Sequence, residues 1–113
     1  MNNKIKLKKD KYKSARGGYS RLLSLHCREC GNVICEYQKD GPGNLLRLYL
    51  DRIMAPEKLV DLQKENIKDV KPLKCDKCKC LIGMPYVYIK EKRKAFRVFQ
   101  DAFVKKIKKL NNK

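Results

Sequence analysis

The fold of this chain is decided by two stretches, Cys27-Arg28-Glu29-Cys30-Gly31 and Cys75-Asp76-Lys77-Cys78-Lys79-Cys80. Each holds a Cys-x-x-Cys pair, and a tight turn over the two middle residues can aim both sulfurs at one point about 2.3 Å away. Gly31 favours such a turn, because glycine adopts the left-handed backbone conformation without steric cost. Two such knuckles complete a tetrahedron, so the sequence predicts one structural zinc ion held by Cys27, Cys30, Cys75 and Cys78.

Other arrangements of the six cysteines stay open at this point. A thioredoxin-like redox pair is disfavoured, because neither Cys-x-x-Cys opens a helix within a βαβ pattern. Disulfides are disfavoured by the lack of an export signal. Cys80, two residues from Cys78, could replace one of the four ligands, and so could His26. We expect Cys35 to be a small buried hydrophobe.

Length and charge describe a small, nearly neutral body with two basic ends. The chain has 113 residues, which fits one domain. Residues 1–21 carry eight basic and one acidic residue, residues 90–113 carry ten and two, and the 68 residues between them carry eleven and nine. We therefore divide the chain into a basic N-terminal arm (1–20), a zinc-binding body (21–94) and a basic C-terminal helix or tail (95–113). A body of this size buries only about 60% of the surface that its unfolded chain exposes, so it needs an additional stabilising element such as a bound zinc ion.

Several classes of protein do not fit the sequence. The longest apolar run, Cys80 to Ile89, has ten residues, whereas about 18–20 are needed to cross a membrane. The charged residues 1–9 are not followed by the apolar stretch of a secretory signal, so we expect a cytoplasmic protein. We also expect no enzyme, because four thiolates close a zinc site, the single histidine lies beside a predicted ligand, and no phosphate-binding loop motif is present.

Short strands are predicted on both sides of the first knuckle and between the two knuckles. Asp40-Gly41-Pro42-Gly43-Asn44 is the strongest turn signal in the chain. After it, Leu46, Leu48 and Leu50 alternate with polar residues, which indicates a half-buried strand. The predicted strands are 21–27, 33–37, 46–50 and 86–89, with one or two helical turns after Pro56.

The C-terminal region is predicted to form a helix. From Ala95 onward the apolar positions 95, 98, 99, 102, 103, 107 and 110 follow one another mostly at steps of three and four. An alternative makes Phe96–Phe99 the return strand of a hairpin, with helix only from Asp101. The expected fold class is thus a small β-rich, zinc-ribbon-like domain, with antiparallel strands pinned by a four-cysteine zinc site, a C-terminal helix and basic terminal extensions.

The two knuckles, the strands between them, and Gly83 and Tyr86 shortly after the second knuckle resemble zinc-ribbon proteins. They also resemble the zinc-anchored β-tent group, which includes Yippee-like domains and methionine sulfoxide reductase B. The resemblance covers roughly residues 22–90 and implies an antiparallel sheet pinned by zinc. It implies no catalysis, because the reductases use a reactive cysteine and histidine outside the zinc site, and here no cysteine follows Cys80. The lysine-rich ends are similar in composition to small ribosomal proteins.

The charge distribution predicts a polyanionic partner and no small-molecule substrate. A net charge of +17 favours association with polyanions, and basic ends on a neutral body suit phosphate contacts in a packed RNA assembly. Tyr12 and Tyr19 could stack on unpaired bases. We therefore expect a zinc-stabilised RNA-binding structural protein, ribosomal or ribosome-associated, that contacts rRNA. The alternatives are a transcription-associated zinc-ribbon interaction module and a DNA-binding zinc protein. The predicted RNA contacts are Lys4, Lys6, Lys8, Lys9, Lys11, Tyr12, Lys13, Arg16, Tyr19, Arg21, Lys92, Arg93, Lys94, Arg97, Lys105, Lys106, Lys108 and Lys109.

Overall fold

The computed structural model describes residues 7–8, 10–15 and 20–108, with the backbone alone for Lys13 and Ala15. A short helix, α1 (Lys11–Ala15), precedes strands β1 (Ser20–Cys27), β2 (Val33–Asp40), β3 (Arg47–Tyr49) and β4 (Ile53–Ala55). Helix α2 (Glu57–Val60) leads to β5 (Leu73–Lys74), β6 (Leu81–Tyr88), β7 (Arg93–Val98) and β8 (Phe103–Ile107). Single 3₁₀ turns lie at Leu50–Arg52, Asp61–Lys64, Ile67–Asp69 and Gln100–Ala102.

The eight strands form two antiparallel sheets, which confirms the β-rich antiparallel part of the prediction. The first sheet has the order β4-β2-β1-β8, and the second has the order β3-β7-β6-β5. The first Cys-x-x-Cys pair begins at the last residue of β1 and continues into the turn before β2, and the second lies between β5 and β6. Each sheet therefore carries one knuckle.

An apolar core holds the two sheets together. Leu25 from the first sheet and Leu48, Ile82 and Phe96 from the second are essentially inaccessible to solvent. These side chains belong to one contiguous cluster that also includes Cys27 and Cys75. The knuckles therefore border the core and are positioned by its packing.

The predicted turn at 40–44 is present, and its glycines explain it. Gly41 and Gly43 have φ values of 77° and 103°, a backbone region that side chains with a Cβ atom rarely occupy. The strand after the turn is shorter than its leucine alternation suggested. Leu48 is buried, but Leu46 is 51% exposed, because β3 begins only at Arg47.

The predicted C-terminal helix is wrong in both its long and its short version, but the alternative return strand at Phe96–Phe99 overlaps the observed β7, which forms a hairpin with β6. Residues 93–98 form β7, which pairs with β3 and β6, and residues 103–107 form β8, which pairs with β1. The apolar steps of three and four arise because a strand ends at Val98 and the 3₁₀ turn shifts the pattern before Phe103. Aromatic and β-branched residues favour strands when an adjacent strand can pair with their backbone. Pairing with the neighbouring strands therefore determines the structure of this region, although its apolar spacing is that of a helix.

Part of the basic N-terminal arm packs on the body. The buried Gln38 side chain accepts a hydrogen bond from the Lys8 backbone N–H at 2.5 Å and donates one to the Lys8 carbonyl at 2.8 Å. Asp10 forms an ion pair with the buried Arg52. The described part of the arm therefore contacts the folded body through Lys8 and Asp10.

Candidate metal centre and nucleic-acid interface

The four cysteines predicted as metal ligands come together at one end of the two sheets. The sulfurs of Cys27, Cys30, Cys75 and Cys78 all lie within 4.8 Å of one another. Two sulfur pairs that link the knuckles are closer: the Cys27 sulfur lies 3.5 Å from that of Cys78, and the Cys30 sulfur lies 3.5 Å from that of Cys75. Sulfurs about 2.3 Å from a central ion in a tetrahedron would be about 3.8 Å apart. The quartet therefore has the size of a site that could hold a metal ion.

The two knuckles share one backbone conformation. In the first, the Cys27 N–H donates to the Asn32 carbonyl at 2.8 Å, and the Gly31 N–H donates to the Cys27 carbonyl at 2.8 Å. In the second, Cys75 donates to Cys80 and Lys79 donates to Cys75, both at 2.9 Å. Gly31 and Lys79 occupy equivalent positions and both have positive φ, 78° and 66°. The second knuckle therefore holds a lysine where the first has glycine.

Charge on the sulfurs explains why this cluster suits a cation. The backbone N–H of Cys78 points at the Cys75 sulfur and, with that of Lys77, lowers the pKa of Cys75 to about 6. The Cys80 backbone N–H also stabilises the Cys78 thiolate, but desolvation and the neighbouring cysteines outweigh it and raise the pKa of Cys78 to about 12. The Cys75 thiolate thus forms readily, whereas the Cys78 thiolate needs a compensating positive charge.

The remaining sulfurs and the histidine lie outside this quartet. Cys80 points its thiol toward the Leu81 carbonyl, 3.8 Å away. The His26 ring lies 3.0 Å from the Ser24 hydroxyl and 3.4 Å from the Gly31 carbonyl. Burial raises the pKa of Cys35 to about 12, so this thiol stays protonated within the core.

Four sulfur ligands would fill a tetrahedral site and leave no position for a substrate or a reactive water. The cysteines come from turns of different sheets, and 44 residues lie between Cys30 and Cys75. An ion bound there would connect the two sheets at the border of the core, to which Cys27 and Cys75 belong. The arrangement is therefore suited to holding a structure together.

The residues predicted to contact RNA fall into three groups. Lys4, Lys6, Lys9, Arg16, Tyr19 and Lys109 lie outside the described residues, as does the side chain of Lys13. Those on the described surface that are exposed are Lys11, Arg21, Lys92, Arg97, Lys105, Lys106 and Lys108. Lys8, Tyr12, Arg93 and Lys94 are partly or fully enclosed by contacts within the protein.

The enclosed group has specific partners. The Arg93 guanidinium donates to Asp51 and Glu91 and lies between the rings of Tyr12 and Tyr49. The Lys94 ammonium donates to two backbone carbonyls, at 2.6 and 2.7 Å. Lys108, although exposed, forms an ion pair with Glu36. These cations therefore already have partners within the protein.

Two of the exposed cations and one half-buried lysine converge on one groove. Arg21 of β1, Lys39 of β2 and Lys105 of β8 line a groove of about 330 Å³ whose wall includes residues 41–43. Arg21 and Lys39 are paired neighbours on adjacent strands, and the Lys39 ammonium donates to the Gly41 and Pro42 carbonyls. The fold therefore brings together Arg21 and Lys105, which the sequence separates by 84 positions.

Sequence reasoning missed the arginines in the middle of the chain. Arg52 is buried between Asp10 and Asp40, and Arg47 contacts two tyrosines on the second sheet. The period of two around Leu48 is the signal that could have placed Arg47 and Tyr49 together on the face opposite the core.

Within the described part of the chain, no helix is long and apolar enough to span a membrane. No model of a protein family, no curated protein and no solved structure matches this chain significantly. The resemblance to zinc-ribbon and Yippee-like domains is therefore a likeness in the two knuckles, their spacing and the antiparallel strands.

Proposed function

We propose that the four cysteines bind one Zn²⁺ ion and that the role of this ion is structural. Thiolate sulfur is a preferred ligand of Zn²⁺, and sets of four cysteines in paired knuckles are typical of structural zinc sites. The support is the closed quartet, which joins two sheets of a body too small to rely on its apolar core alone. Zinc in such sites supplies about 10–16 kcal/mol of apparent binding free energy, which is also folding free energy.

We further propose that the protein binds RNA through its basic surface and acts as a structural component of a ribonucleoprotein, with the ribosome as the first candidate. The observation that carries this proposal is the groove shared by Arg21, Lys39 and Lys105. Three cations around one groove create a local positive potential, and a chain of net charge +17 attracts polyanions from a distance. Phosphate groups are the ligands that such a groove would bind.

Binding of a labelled RNA hairpin over a range of salt concentrations tests this function. The triple variant Arg21→Ala, Lys39→Ala, Lys105→Ala should bind more weakly, and its log–log salt slope should be about 2–3 smaller than that of the wild type, because each lost phosphate contact removes about 0.7–0.9. A matched control removes the three exposed charges Lys64, Lys68 and Lys71, which lie elsewhere on the body. Equal slopes for the two triple variants would contradict the role of the groove.

Association with ribosomes is tested in cell extracts. The tagged full chain should co-migrate with ribosomal particles in a sucrose gradient and dissociate at high salt. Migration with RNA polymerase would favour a transcription-associated interaction module, and preference for duplex DNA over RNA in direct competition would favour a DNA-binding protein.

A further inference from the structure

The outer face of the second sheet collects arginine and tyrosine side chains. Strand pairing sets Arg47 and Met84 on either side of Arg97, Tyr49 and Tyr86 on either side of Ala95, and Tyr88 beside Arg93. The alternate positions Leu48 and Phe96 point into the core, so these residues share the opposite face. We define the arginine–tyrosine face as the part that solvent reaches, namely Arg47, Met84, Tyr86, Tyr88 and Arg97.

Contacts within the face fix the orientation of its planar groups. The Arg47 Nε donates to the Tyr86 hydroxyl at 2.7 Å, and the Arg47 guanidinium lies 4.1 Å from the centre of the Tyr88 ring. Arg97 is exposed, and Met84 is 43% exposed. Ordered rings and guanidinium planes bind flat ligands at a low cost in conformational entropy.

The charge of the face is positive. None of the eight outward positions 47, 49, 84, 86, 88, 93, 95 and 97 carries an acidic residue. Arg93 is paired with Asp51 and Glu91 at one end of the face, whereas Arg47 donates to tyrosine hydroxyls, which leave its charge in place. A cationic ligand would be repelled here, and an anionic one attracted.

A flat ring already stacks on an arginine at the border of this face, namely Arg93, which pairs with Tyr88. The Tyr12 ring of the N-terminal arm stacks on the Arg93 guanidinium, with 3.8 Å between the guanidinium carbon and the ring centre, and Tyr49 lies on the other side at 3.6 Å. Stacks of this kind, with a guanidinium or a tyrosine ring against a flat π-system, are the contacts that proteins make with unpaired nucleobases.

We propose that the arginine–tyrosine face binds unpaired bases of single-stranded RNA. This inference rests on the proposed RNA-binding function and adds a second surface, distinct from the Arg21–Lys39–Lys105 groove. Tyr86 and Tyr88 supply stacking rings, while Arg97 and Arg47 supply planar cations that can stack on bases and contact the adjoining phosphates. Duplex RNA, whose bases are already stacked and paired, does not offer these ring faces.

Two oligomers of equal charge separate stacking from phosphate attraction. One is a fluorescently labelled decauridine, and the other is a decamer with the same sugar–phosphate backbone and no bases. Wild-type protein loaded with zinc should bind decauridine at least about tenfold more tightly than the abasic decamer, because stacking of a single base changes affinity by about 5- to 150-fold. Fluorescence anisotropy at about 0.15 M salt measures both affinities.

Variants assign the preference to this face. Tyr86→Leu should lower the affinity for decauridine about tenfold and leave the affinity for the abasic decamer unchanged. Arg97→Lys keeps the charge but removes the planar guanidinium, and because Arg97 is exposed this variant keeps its fold even if Tyr86→Leu does not. It should also weaken decauridine binding selectively. Lys68→Ala, an exposed charge elsewhere, is the control for loss of one positive charge and should affect both oligomers equally.

The outcomes distinguish the two proposals. Equal wild-type affinity for both decamers would overturn the base-binding face and leave phosphate binding by the groove intact. Failure to bind either decamer or the RNA hairpin would overturn both. If Arg97→Lys and folded Tyr86→Leu still prefer decauridine over the abasic decamer, the bases stack on another surface and the proposal is overturned. If the protein shows no base preference and an acidic peptide displaces decauridine, the face binds a protein partner instead.

Discussion

Replacement of Asp10 by asparagine tests whether the N-terminal arm is part of the folded protein. Arg52 is only 1% exposed, and its guanidinium donates to both Asp10 carboxylate oxygens, at 2.5 and 3.0 Å. Its Nε donates to Asp40 at 2.8 Å. The Asp10→Asn variant keeps the shape of the side chain and removes its charge, so the buried cation loses one of its two carboxylate partners.

The size of the effect follows from burial. Hydrogen bonds to charged groups contribute about 1.5–3 kcal/mol each, but the Asp10 side chain is 39% exposed, and solvent screening reduces the value of such a pair. We therefore expect Asp10→Asn to lower the free energy of unfolding by about 1–2 kcal/mol. Asp40, whose side chain is 4% exposed, lies deeper, and Asp40→Asn should cost about 3–5 kcal/mol, as expected when a buried ion pair is broken.

Urea denaturation of the zinc-loaded proteins, followed by circular dichroism, measures both values. Lys58→Gln provides the matched control, because Lys58 forms an ion pair with Asp76 in which both side chains are more than half exposed, and such pairs contribute about 0–1 kcal/mol. If Asp10→Asn is no more destabilised than Lys58→Gln, the arm does not stabilise the body, and the docking of Asp10 on Arg52 is refuted.

Four further substitutions probe the knuckles, the second sheet and the core. Lys79→Gly should stabilise the zinc-loaded protein by about 1 kcal/mol and Gly31→Ala should destabilise it by a similar amount, because both positions have positive φ; thermal denaturation at fixed zinc concentration checks the opposite signs. Gly83→Ala should destabilise the second sheet by more than 2 kcal/mol, since its Cβ atom would lie 2.7 Å from the Arg97 carbonyl oxygen, and a Tm unchanged from wild type would contradict this. Cys35→Ala should cost about 1–2 kcal/mol and leave the zinc content unchanged, as measured by elemental analysis.

The sequence predicted the knuckles and four strands, which correspond to β1, β2, β3 and part of β6, because these depend on local signals. Cys-x-x-Cys spacing, the glycines around Pro42 and the alternation around Leu48 each act over a few residues. The C-terminal strands could not be predicted in the same way. Their apolar spacing alone fits a helix, and only the pairing of Phe103 with Cys27 on β1 shows that the segment is a strand. That contact joins residues 76 positions apart in the chain.

The buried arginines were missed for a related physical reason. In sequence, Arg52 stands between Asp51 and Ile53, and nothing local indicates that Asp40 and Asp10 enclose it. The sequence likewise does not show that Lys79 occupies the same position in its knuckle as Gly31 does in the first, because lysine rarely adopts a positive φ. Burial of charge and backbone strain both depend on tertiary contacts that are distant in sequence.

The zinc content of the intact protein, measured together with its unfolding, tests the central claim most directly. Native mass spectrometry of the full chain should show one zinc ion per molecule, and chelation or the Cys75→Ser substitution should abolish the cooperative thermal transition, because structural zinc contributes about 10–16 kcal/mol to folding. A metal-free chain that unfolds cooperatively at the same temperature as the untreated protein would contradict the account.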